Sequence, residues 1–229
     1  MILGLHSSPI PGGNLERMIQ SVAKSSGLEH EITRLADLEI KPCRGCVRCG
    51  RSKRCVQKDD MLSLYDKLEA AQGLIFGRVN YNGRFNAIAH TFLERLFPLY
   101  HQEPALRRLP VAVIAVGGEE PERAGIDIAS YFKETWMCSI VGMALFKSDT
   151  PPCFTCGLGT TCRVSMPALH WPEDEFAAFT QVRKEMFQRF EDNTDALRAC
   201  NRLGQTLRTA VRGSFTRPRS GGGFYLPLS

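Results

Sequence analysis

The sequence predicts an α/β fold with a doubly wound, five-stranded parallel sheet. Along residues 1–149, short apolar runs of strand length alternate with segments whose apolar residues recur at helical spacing. This alternation is typical of parallel sheets, because a crossover between parallel strands usually contains a helix. The 229 residues, 43 % hydrophobic and 23 % charged, suffice for one core with an appendage. Uninterrupted apolar runs fall well short of about eighteen residues, so we expect no membrane span.

Apolar runs that end at turn-forming residues predict strands at 2–6, 73–77, 111–116 and 140–146, and alternation predicts another at 29–35. Helices are expected between them, beginning near Leu15 and after Asp59-Asp60, and then at 86–97 and 126–137. The apolar stripe of 173–203 predicts one long or broken helix, used for packing. We therefore divide the chain into a sheet domain at 1–149, an extension at 150–203 and a basic tail rich in Gly, Pro and Arg at 204–229.

Three polar or glycine-rich loops follow predicted strands. They are Ser7–Asn14, Arg78–Arg84 and Gly117–Gly118. Ligands of doubly wound sheets bind beyond the carboxyl ends of the strands, where these loops lie. The first loop also leads into a helix, so its hydroxyl and backbone N–H groups would surround a positive helix end suited to a phosphate.

Four cysteines lie within thirteen residues at C-x2-C-x2-C-x5-C spacing. They are Cys43, Cys46, Cys49 and Cys55. Clustered thiolates are soft ligands that suit iron–sulfur clusters or zinc, and runs with two-residue gaps commonly hold a [4Fe–4S] cluster. Five cations are interspersed and would stabilise an anionic cluster: Arg44, Arg48, Arg51, Lys53 and Arg54.

Zinc and disulfides are the alternatives for these four thiols. Structural zinc sites usually present two knuckles separated by a longer spacer, whereas here all four thiols share one loop. A disulfide framework would need an oxidising compartment, and the start of the chain lacks the basic region and long apolar run of a secretory signal. We therefore expect an iron–sulfur cluster in a reducing cytoplasm, with zinc as the main competitor.

A second thiol group, Cys153, Cys156 and Cys162, has C-x2-C-x5-C spacing. With His170, Cys138 or Cys200 it could hold zinc or a second iron–sulfur cluster. The pair at C-x2-C spacing could also be a redox dithiol, or all three could be reduced cysteines without a ligand. The sequence leaves these alternatives open.

The charge distribution does not indicate a nucleic-acid partner. The net charge of +5 is modest, and much of it lies after the last acid, Asp195. No aromatic-interleaved basic motif accompanies these arginines, so we interpret them as a solvated or subunit-wrapping tail. Neither a Ser/His/Asp arrangement nor a carboxylate pair points to hydrolytic chemistry.

These features together resemble the iron–sulfur flavoproteins, which belong to the wider group of NAD(P)H-dependent FMN reductases with a flavodoxin-like fold. The phrase from Arg34 through the four thiols to Met61 is similar in wording as well as spacing, and the likeness covers residues 1–147. The resemblance implies FMN at the carboxyl edge of the sheet and one [4Fe–4S] cluster in the cysteine loop. It also implies dimers or tetramers in which the cluster of one subunit lies near the flavin of another.

By this resemblance, the first loop binds the phosphate of FMN and the two others frame its ring and ribityl chain. The implied cofactor contacts are Ser7, Ser8, Pro9, Asn14, Arg78, Val79, Asn80, Tyr81, Asn82, Gly83, Gly117 and Gly118. The phosphate loop has Ile10 and Leu15 where relatives commonly have an arginine and a threonine. Arg78 could replace the missing cation.

The resulting hypothesis is an oxidoreductase that moves electrons between FMN and a [4Fe–4S] cluster, with ferredoxin or NAD(P)H as donor and an unknown acceptor. One alternative is an NAD(P)H-dependent FMN or quinone reductase with structural zinc. Another is a non-catalytic protein that responds to redox state or metal.

Overall fold

The computed structural model describes residues 1–81, 83–118 and 120–214, which form a sheet between two layers of helices. The strands are β1 (Ile2–His6), β2 (His30–Arg34), β3 (Gly73–Tyr81), β4 (Arg84–Phe85), β5 (Pro110–Gly117) and β6 (Ser139–Lys147). The five longer strands are all parallel, in the order β2-β1-β3-β5-β6, and β4 forms a short antiparallel hairpin with β3. Apart from this hairpin, the order is that of the flavodoxin-like fold, so the expected fold class is confirmed.

The helices are α1 (Asn14–Ser26), α2 (Cys49–Ser52), α3 (Met61–Ala70), α4 (Ala87–Arg95), α5 (Pro121–Ser130), α6 (Met166–His170), α7 (Glu173–Ala178) and α8 (Thr194–Ser214). One core lies between the sheet and α3, α4 and α5. A second core lies between the sheet and α1 and α8. Among the described residues, no helix has both the length and the apolar character needed to cross a bilayer.

Burial on both faces explains why the central strands are continuous apolar runs. Every residue of β1 and of β5 is buried, since helices cover both sides of the sheet. Burying one leucine or isoleucine side chain contributes about 1.5–3 kcal/mol, so these strands anchor the fold. The sequence signal for them was correspondingly strong.

Of the long or broken helix expected over 173–203, the continuous form is wrong, and α-helix is found only at the two ends of that range. The chain instead forms α7, two 3₁₀ turns at Lys184–Met186 and Phe190–Asp192, and then α8, which begins at Thr194 and passes through the expected boundary at 203. The aromatic residues near α7 pack against one another, and Phe179 contacts both Trp171 and Phe154. Asn193 then starts the new helix by accepting a hydrogen bond from the N–H of Ala196 at 2.9 Å. Residues 215–229 of the expected tail lie outside the described part of the chain.

The last helix packs closely on the first. Leu203, Leu207 and Val211 are buried between α8, α1 and the sheet. Gly204 allows this approach, because a Cβ atom at its position would lie 2.4 Å from the carbonyl oxygen of Val22 and 2.7 Å from Cβ of Ser25. Backbone cannot move aside as a flexible side chain can, so the helix pair requires glycine here.

Gly204→Ala is therefore expected to lower the free energy of unfolding by about 1–3 kcal/mol through overpacking. Gly213→Ala is the matched control, because no described residue outside its own helix turn lies within 4 Å of a Cβ atom there, and alanine favours a helix by up to about 1 kcal/mol. Urea unfolding followed by circular dichroism measures both changes. Equal destabilisation of the two variants would contradict the close packing.

Candidate functional site

The loop that follows β1 is held against the neighbouring strand and helix. The N–H of Ser7 donates to the carbonyl of Gly77 at 3.1 Å, and the carbonyl of Ser7 accepts from the side-chain amide of Asn86 at 2.6 Å. The hydroxyl of Ser8 accepts from the N–H of Ile10 and donates to the carbonyl of the same residue. Pro9 is exposed, and its carbonyl accepts from Arg34. The loop is thus preformed at the carboxyl edge of the sheet.

Buried polar atoms without a partner concentrate beside this loop. In the part of the chain that the structure describes, seven buried side-chain nitrogen or oxygen atoms have no hydrogen-bond partner, and five belong to His6, Ser7 and Arg78. His6 and Arg78 lie on adjacent strands, because His6 pairs with Gly77 in the sheet. Buried polar groups are nearly always satisfied in folded proteins, so such a group marks a place where a polar ligand would complete the bonding. The carboxyl edge therefore fits a phosphate-bearing cofactor.

Glu16 introduces a negative charge into the same loop. Its carboxylate accepts from the N–H of Gly12 at 2.8 Å and lies 3.9 Å from Nε2 of His6. Burial lowers the pKa of His6, and Glu16 only partly opposes this shift, so the imidazole is driven toward its neutral form. A phosphate bound in this loop would compete with the carboxylate of Glu16 for the N–H of Gly12.

Asn14 is bonded by a distant part of the chain. Its side-chain oxygen accepts from the N–H of Phe190 at 3.0 Å, and its side-chain amide donates to the carbonyl of Gln188 at 2.9 Å. Arg17, one turn on, pairs with Glu191 at 2.6 Å. Asn14 thus fastens residues 188–191 to the first loop, and its contact with a phosphate stays a prediction.

Arg78, Val79, Asn80 and Tyr81 are strand residues at the end of β3, not loop residues as expected. The guanidinium of Arg78 is fully buried, lies 4.2 Å from the ring centroid of Phe85 and is 3.9 Å from the carboxylate of Asp127. Burial lowers its pKa, while Asp127 acts in the opposite direction.

The remaining expected ring contacts lie around Arg78. Tyr81 is about half exposed, Gly83 has a left-handed backbone, and Gly117 ends β5 beside Gly118. Asn82, also expected to contact the cofactor, lies outside the described residues. The structure thus brings a buried cation and polar backbone to one edge of the sheet.

The four cysteines of the first thiol loop line one pocket, whose cavity volume is about 40 Å³. Cys43 and Cys46 are exposed, Cys55 is half-buried and Cys49 is buried at the start of α2. The N–H of Gly45 points to Sγ of Cys43 at 3.4 Å. Burial raises the pKa of the Cys49 thiol, and the three neighbouring thiols raise it further. All four sulfurs therefore face a shared space.

The thiols of this pocket can be compared with what each candidate metal group requires. Among the described residues, no three His, Cys, Asp or Glu side chains are close enough together to hold one metal ion. In a [4Fe–4S] cluster each iron takes its own thiolate, so the ligands surround a larger object than one zinc ion at a Zn–S distance of about 2.3 Å. Four cysteines line the pocket, which is the number of thiolates that such a cluster takes, and their role as its ligands stays a prediction.

A buried ion pair fixes the two ends of this loop. Arg95, in the last turn of α4, donates to both carboxylate oxygens of Asp59 at 2.6 and 2.9 Å, and the two side chains are 1 % and 0 % exposed. Arg95 also donates to the carbonyl of Lys41 at 2.6 Å, and Asp59 accepts from the N–H of Lys41 at 3.0 Å. Burial alone would raise the pKa of Asp59, but the hydrogen bonds from Arg95 and the backbone lower it below its ordinary value.

The thiol pocket and the phosphate loop lie at opposite ends of α4. Asn86, which caps the beginning of the helix, contacts Ser7, whereas Arg95 at its other end lines the pocket. The nine residues of α4 span roughly 13 Å. Within one chain the two candidate sites are thus separated by a helix length.

The second thiol loop follows β6. Cys156 is exposed, and Cys153 and Cys162 are half-buried. Cys138 and Cys200, considered as further ligands, lie in the cores on opposite faces of the sheet. Burial raises the pKa of the Cys200 thiol to about 12. Neither core thiol is a suitable partner for the loop, which leaves His170 in α6 from the original set.

Several residues of these sites carried little signal in the sequence. His101, whose Nε2 lies 3.7 Å from Sγ of Cys49, is 52 residues from it in the chain. The pairing of Asp59 with Arg95 was likewise hidden, although an acid directly after a thiol loop was visible. Glu16 was visible in the first turn of α1, where an acid competes with a bound anion.

Comparison with known proteins agrees with this geometry. A family model described as NADPH-dependent FMN reductase matches residues 1–145. An iron-sulfur flavoprotein of Methanosarcina thermophila is 33 % identical over 120 residues, covering 51 % of this chain and 63 % of that protein. An iron-sulfur flavoprotein of Archaeoglobus fulgidus is 27 % identical over 150 residues, covering 62 % and 66 %. The chain thus spans a little under two thirds of the length of these relatives.

Solved structures show the same fold at low identity. A flavone reductase has a TM-score of 0.55 at 15 % identity, covering 92 % of this chain and 62 % of that chain. The Trp repressor binding protein from Bacillus subtilis has a TM-score of 0.53 at 17 % identity, covering 89 % and 98 %. A flavodoxin from the domain Archaea has a TM-score of 0.50 at 15 % identity, covering 92 % and 98 %. These likenesses support the flavodoxin-like fold.

Asp59→Asn is expected to lower the free energy of unfolding by about 3–5 kcal/mol, because Arg95 would keep its charge in a buried site without a counter-charge. Asp66→Asn is the control: it removes an exposed acid that pairs with Arg54, and such pairs contribute about 0–1 kcal/mol. Denaturant unfolding at neutral pH compares the two variants.

The same comparison has a pH signature. Because the folded-state pKa of Asp59 is depressed, its contribution is fully present above the unfolded pKa of about 4 and is lost as the pH falls through the folded value. The difference between the native chain and Asp59→Asn should therefore shrink below about pH 4. A difference that is independent of pH would contradict the ion pair.

Proposed function

Because the chain belongs to the family of NADPH-dependent FMN reductases, we propose that it is a flavin-dependent oxidoreductase that moves electrons between FMN and a [4Fe–4S] cluster. The observation that carries this proposal is the shared pocket of four cysteines in a chain that also has a polar, partly unsatisfied carboxyl edge. The relatives named iron-sulfur flavoproteins support the same combination.

FMN is proposed to bind at the carboxyl edge of the sheet. Ser7, Ser8 and the backbone that follows them would hold the phosphate, and the buried guanidinium of Arg78 would supply the cation that Ile10 does not. The end of β3 with Tyr81, and the turn at Gly117–Gly118, would flank the ring. Residues 188–191, bonded to Asn14, would cover the phosphate side and limit access of water.

The cluster is proposed to bind in the first thiol loop. Cys49 would be its most enclosed ligand, and His101 beside it would limit solvent at that sulfur. Arg44 and Arg95 line the same pocket and would offset the negative charge of four thiolates. When bound, FMN exchanges one or two electrons and the cluster one, so that together they connect two-electron and one-electron partners.

Assembly into a homodimer or homotetramer is part of the proposal, as the resemblance implies. The separation of the two sites along α4 within one chain supports electron transfer between the cluster of one subunit and the flavin of another. Ferredoxin or NAD(P)H is the proposed donor. All nine cysteines are free thiols, and we place the protein in the cytoplasm, where thiols stay reduced.

The cluster is tested by purifying the full chain and Cys49→Ser without oxygen. We expect the variant to lose about four irons and as many acid-labile sulfides per chain, with the FMN content unchanged. Cys200→Ala, which alters a thiol of the core, should match the native chain. Zinc in place of iron, or iron that is unaffected by Cys49→Ser, would reject the assignment in favour of a reductase with structural zinc or a protein without a cluster.

The phosphate site is tested at Glu16. Replacing its carboxylate by an amide removes a like charge from the loop, so Glu16→Gln should bind FMN about tenfold more tightly, equivalent to about 1.4 kcal/mol. Riboflavin, which lacks the phosphate, should bind both proteins equally, and titration by flavin fluorescence measures both ligands.

Glu134→Gln is the matched control, since it removes an exposed acid from the turn after α5, away from the loop. An equal gain in the affinity for riboflavin would contradict a phosphate site at Glu16. Absence of FMN binding in every protein would instead reject the flavin assignment itself.

A further inference from the structure

The second thiol loop repeats the ligand spacing of the first. Cys153, Cys156 and Cys162 are spaced C-x2-C-x5-C, as are Cys46, Cys49 and Cys55. The family model ends at residue 145, so this second group lies outside the region that it matches. Two loops of one chain with the same thiol spacing suggest ligands for the same kind of group.

The two loops also share their charge. Residues 40–58, around the first group, and residues 150–172, around the second, contain no aspartate or glutamate, although acids border both segments. The second segment carries Arg163 and His170 instead. An acid-free surrounding suits anionic thiolate ligands, because carboxylates nearby would repel them.

Backbone N–H groups point at the sulfurs of the second loop. The N–H of Leu158 lies 3.4 Å from Sγ of Cys156, which repeats the two-residue relation between Gly45 and Cys43 in the first loop. The N–H of Met166 lies 3.3 Å from Sγ of Cys153. Such N–H···S contacts stabilise thiolates and tune bound iron–sulfur clusters.

Two glycines wind the backbone of this loop tightly, although its thiols are not close enough together in this structure to hold a single metal ion. Gly157 has a φ of +79°, a left-handed conformation that a side chain would strain. A Cβ atom at Gly159 would lie 2.7 Å from the carbonyl oxygen of Cys153, so the chain passes directly against the first cysteine. The hydroxyl of Ser165, which is buried, donates to the carbonyl of Gly159 and holds the turn closed.

The loop stands on the carboxyl edge of the sheet. It leaves β6 where the N–H of Ser148 donates to the carbonyl of Gly117, and its stem closes where the N–H of Gln188 donates to the hydroxyl of Thr150 at 2.8 Å. Below the thiols, Phe154 packs on Trp171, Phe179 and Phe187. The second group is therefore on the edge that carries the phosphate loop, whereas the first lies at the other end of α4.

We propose that Cys153, Cys156 and Cys162 ligate a second iron–sulfur cluster, on the flavin edge of the same subunit. The fourth ligand position falls to His170, in the same acid-free segment, or to a small molecule, because Cys138 and Cys200 lie in the cores. The inference rests on the proposed function in taking the first loop as the template for iron and the carboxyl edge as the flavin site.

Two serine variants of the full chain test this site. One replaces Cys43, Cys46, Cys49 and Cys55 together, and the other replaces Cys153, Cys156 and Cys162 together. Each is reconstituted with iron and sulfide without oxygen, and iron, zinc and acid-labile sulfide are counted per chain. The dithionite-reduced proteins are then compared by electron paramagnetic resonance, and circular dichroism verifies that each variant is folded.

We expect the first-loop variant to keep about four irons with a cluster signal of its own, and the second-loop variant to lose that signal. Cys200→Ala is the control for changing a thiol and should keep all iron. A folded first-loop variant without iron, a second-loop variant with as much iron as the native chain, or zinc alone at the second group would overturn the inference. A native chain with about four irons, all of them kept by the first-loop variant and lost by the second-loop variant, would reject only the assignment of the first loop.

Discussion

The thiol pocket depends on one buried ion pair. Arg95, in the last turn of α4, binds Lys41 before the cysteine loop and Asp59 after it, and so holds both ends of the loop. Further hydrogen bonds support a buried pair: here the carboxylate also accepts from the N–H groups of Lys41 and Met61, while Nε of Arg95 has no hydrogen-bond partner among the described residues. The loop has little regular structure of its own, so its conformation depends on α4, which packs on the sheet and binds both ends of the loop.

Sequence patterns predicted the fold wherever burial is two-sided. The central strands β1 and β5 were found because helices cover both of their faces and leave them continuously apolar, whereas the edge strand β2 was found from its alternation. The same reasoning failed over 173–193. There the phenylalanines recur at helical spacing, yet they pack on Phe154 and Trp171 in an irregular cluster rather than along one helix face. The spacing of apolar residues indicates that their side chains are buried, but it does not indicate which residues they pack against.

The candidate sites divide in the same way. Thiol spacing is local, so it predicted a shared pocket for the first four cysteines. The partners of Asn14 lie more than 170 residues away, and the polar end of β3 continues as a strand because β4 folds back on it. Glu16 could be seen, but its hydrogen bond to Gly12 depends on the turn of the loop. Contacts between residues that are far apart in the sequence could not be predicted from a local pattern.

The position of α8 has a consequence for how such a protein can change. This helix completes a face of the sheet, although it lies after the residues that the family model covers. Residues 151–187 therefore form an insertion between the final strand and the final helix of the fold, and its two ends meet at Thr150 and Gln188. A segment with adjoining ends can be exchanged without rebuilding its scaffold. Evolution could thus add or remove this insertion, together with its three cysteines, while the rest of the architecture stays intact.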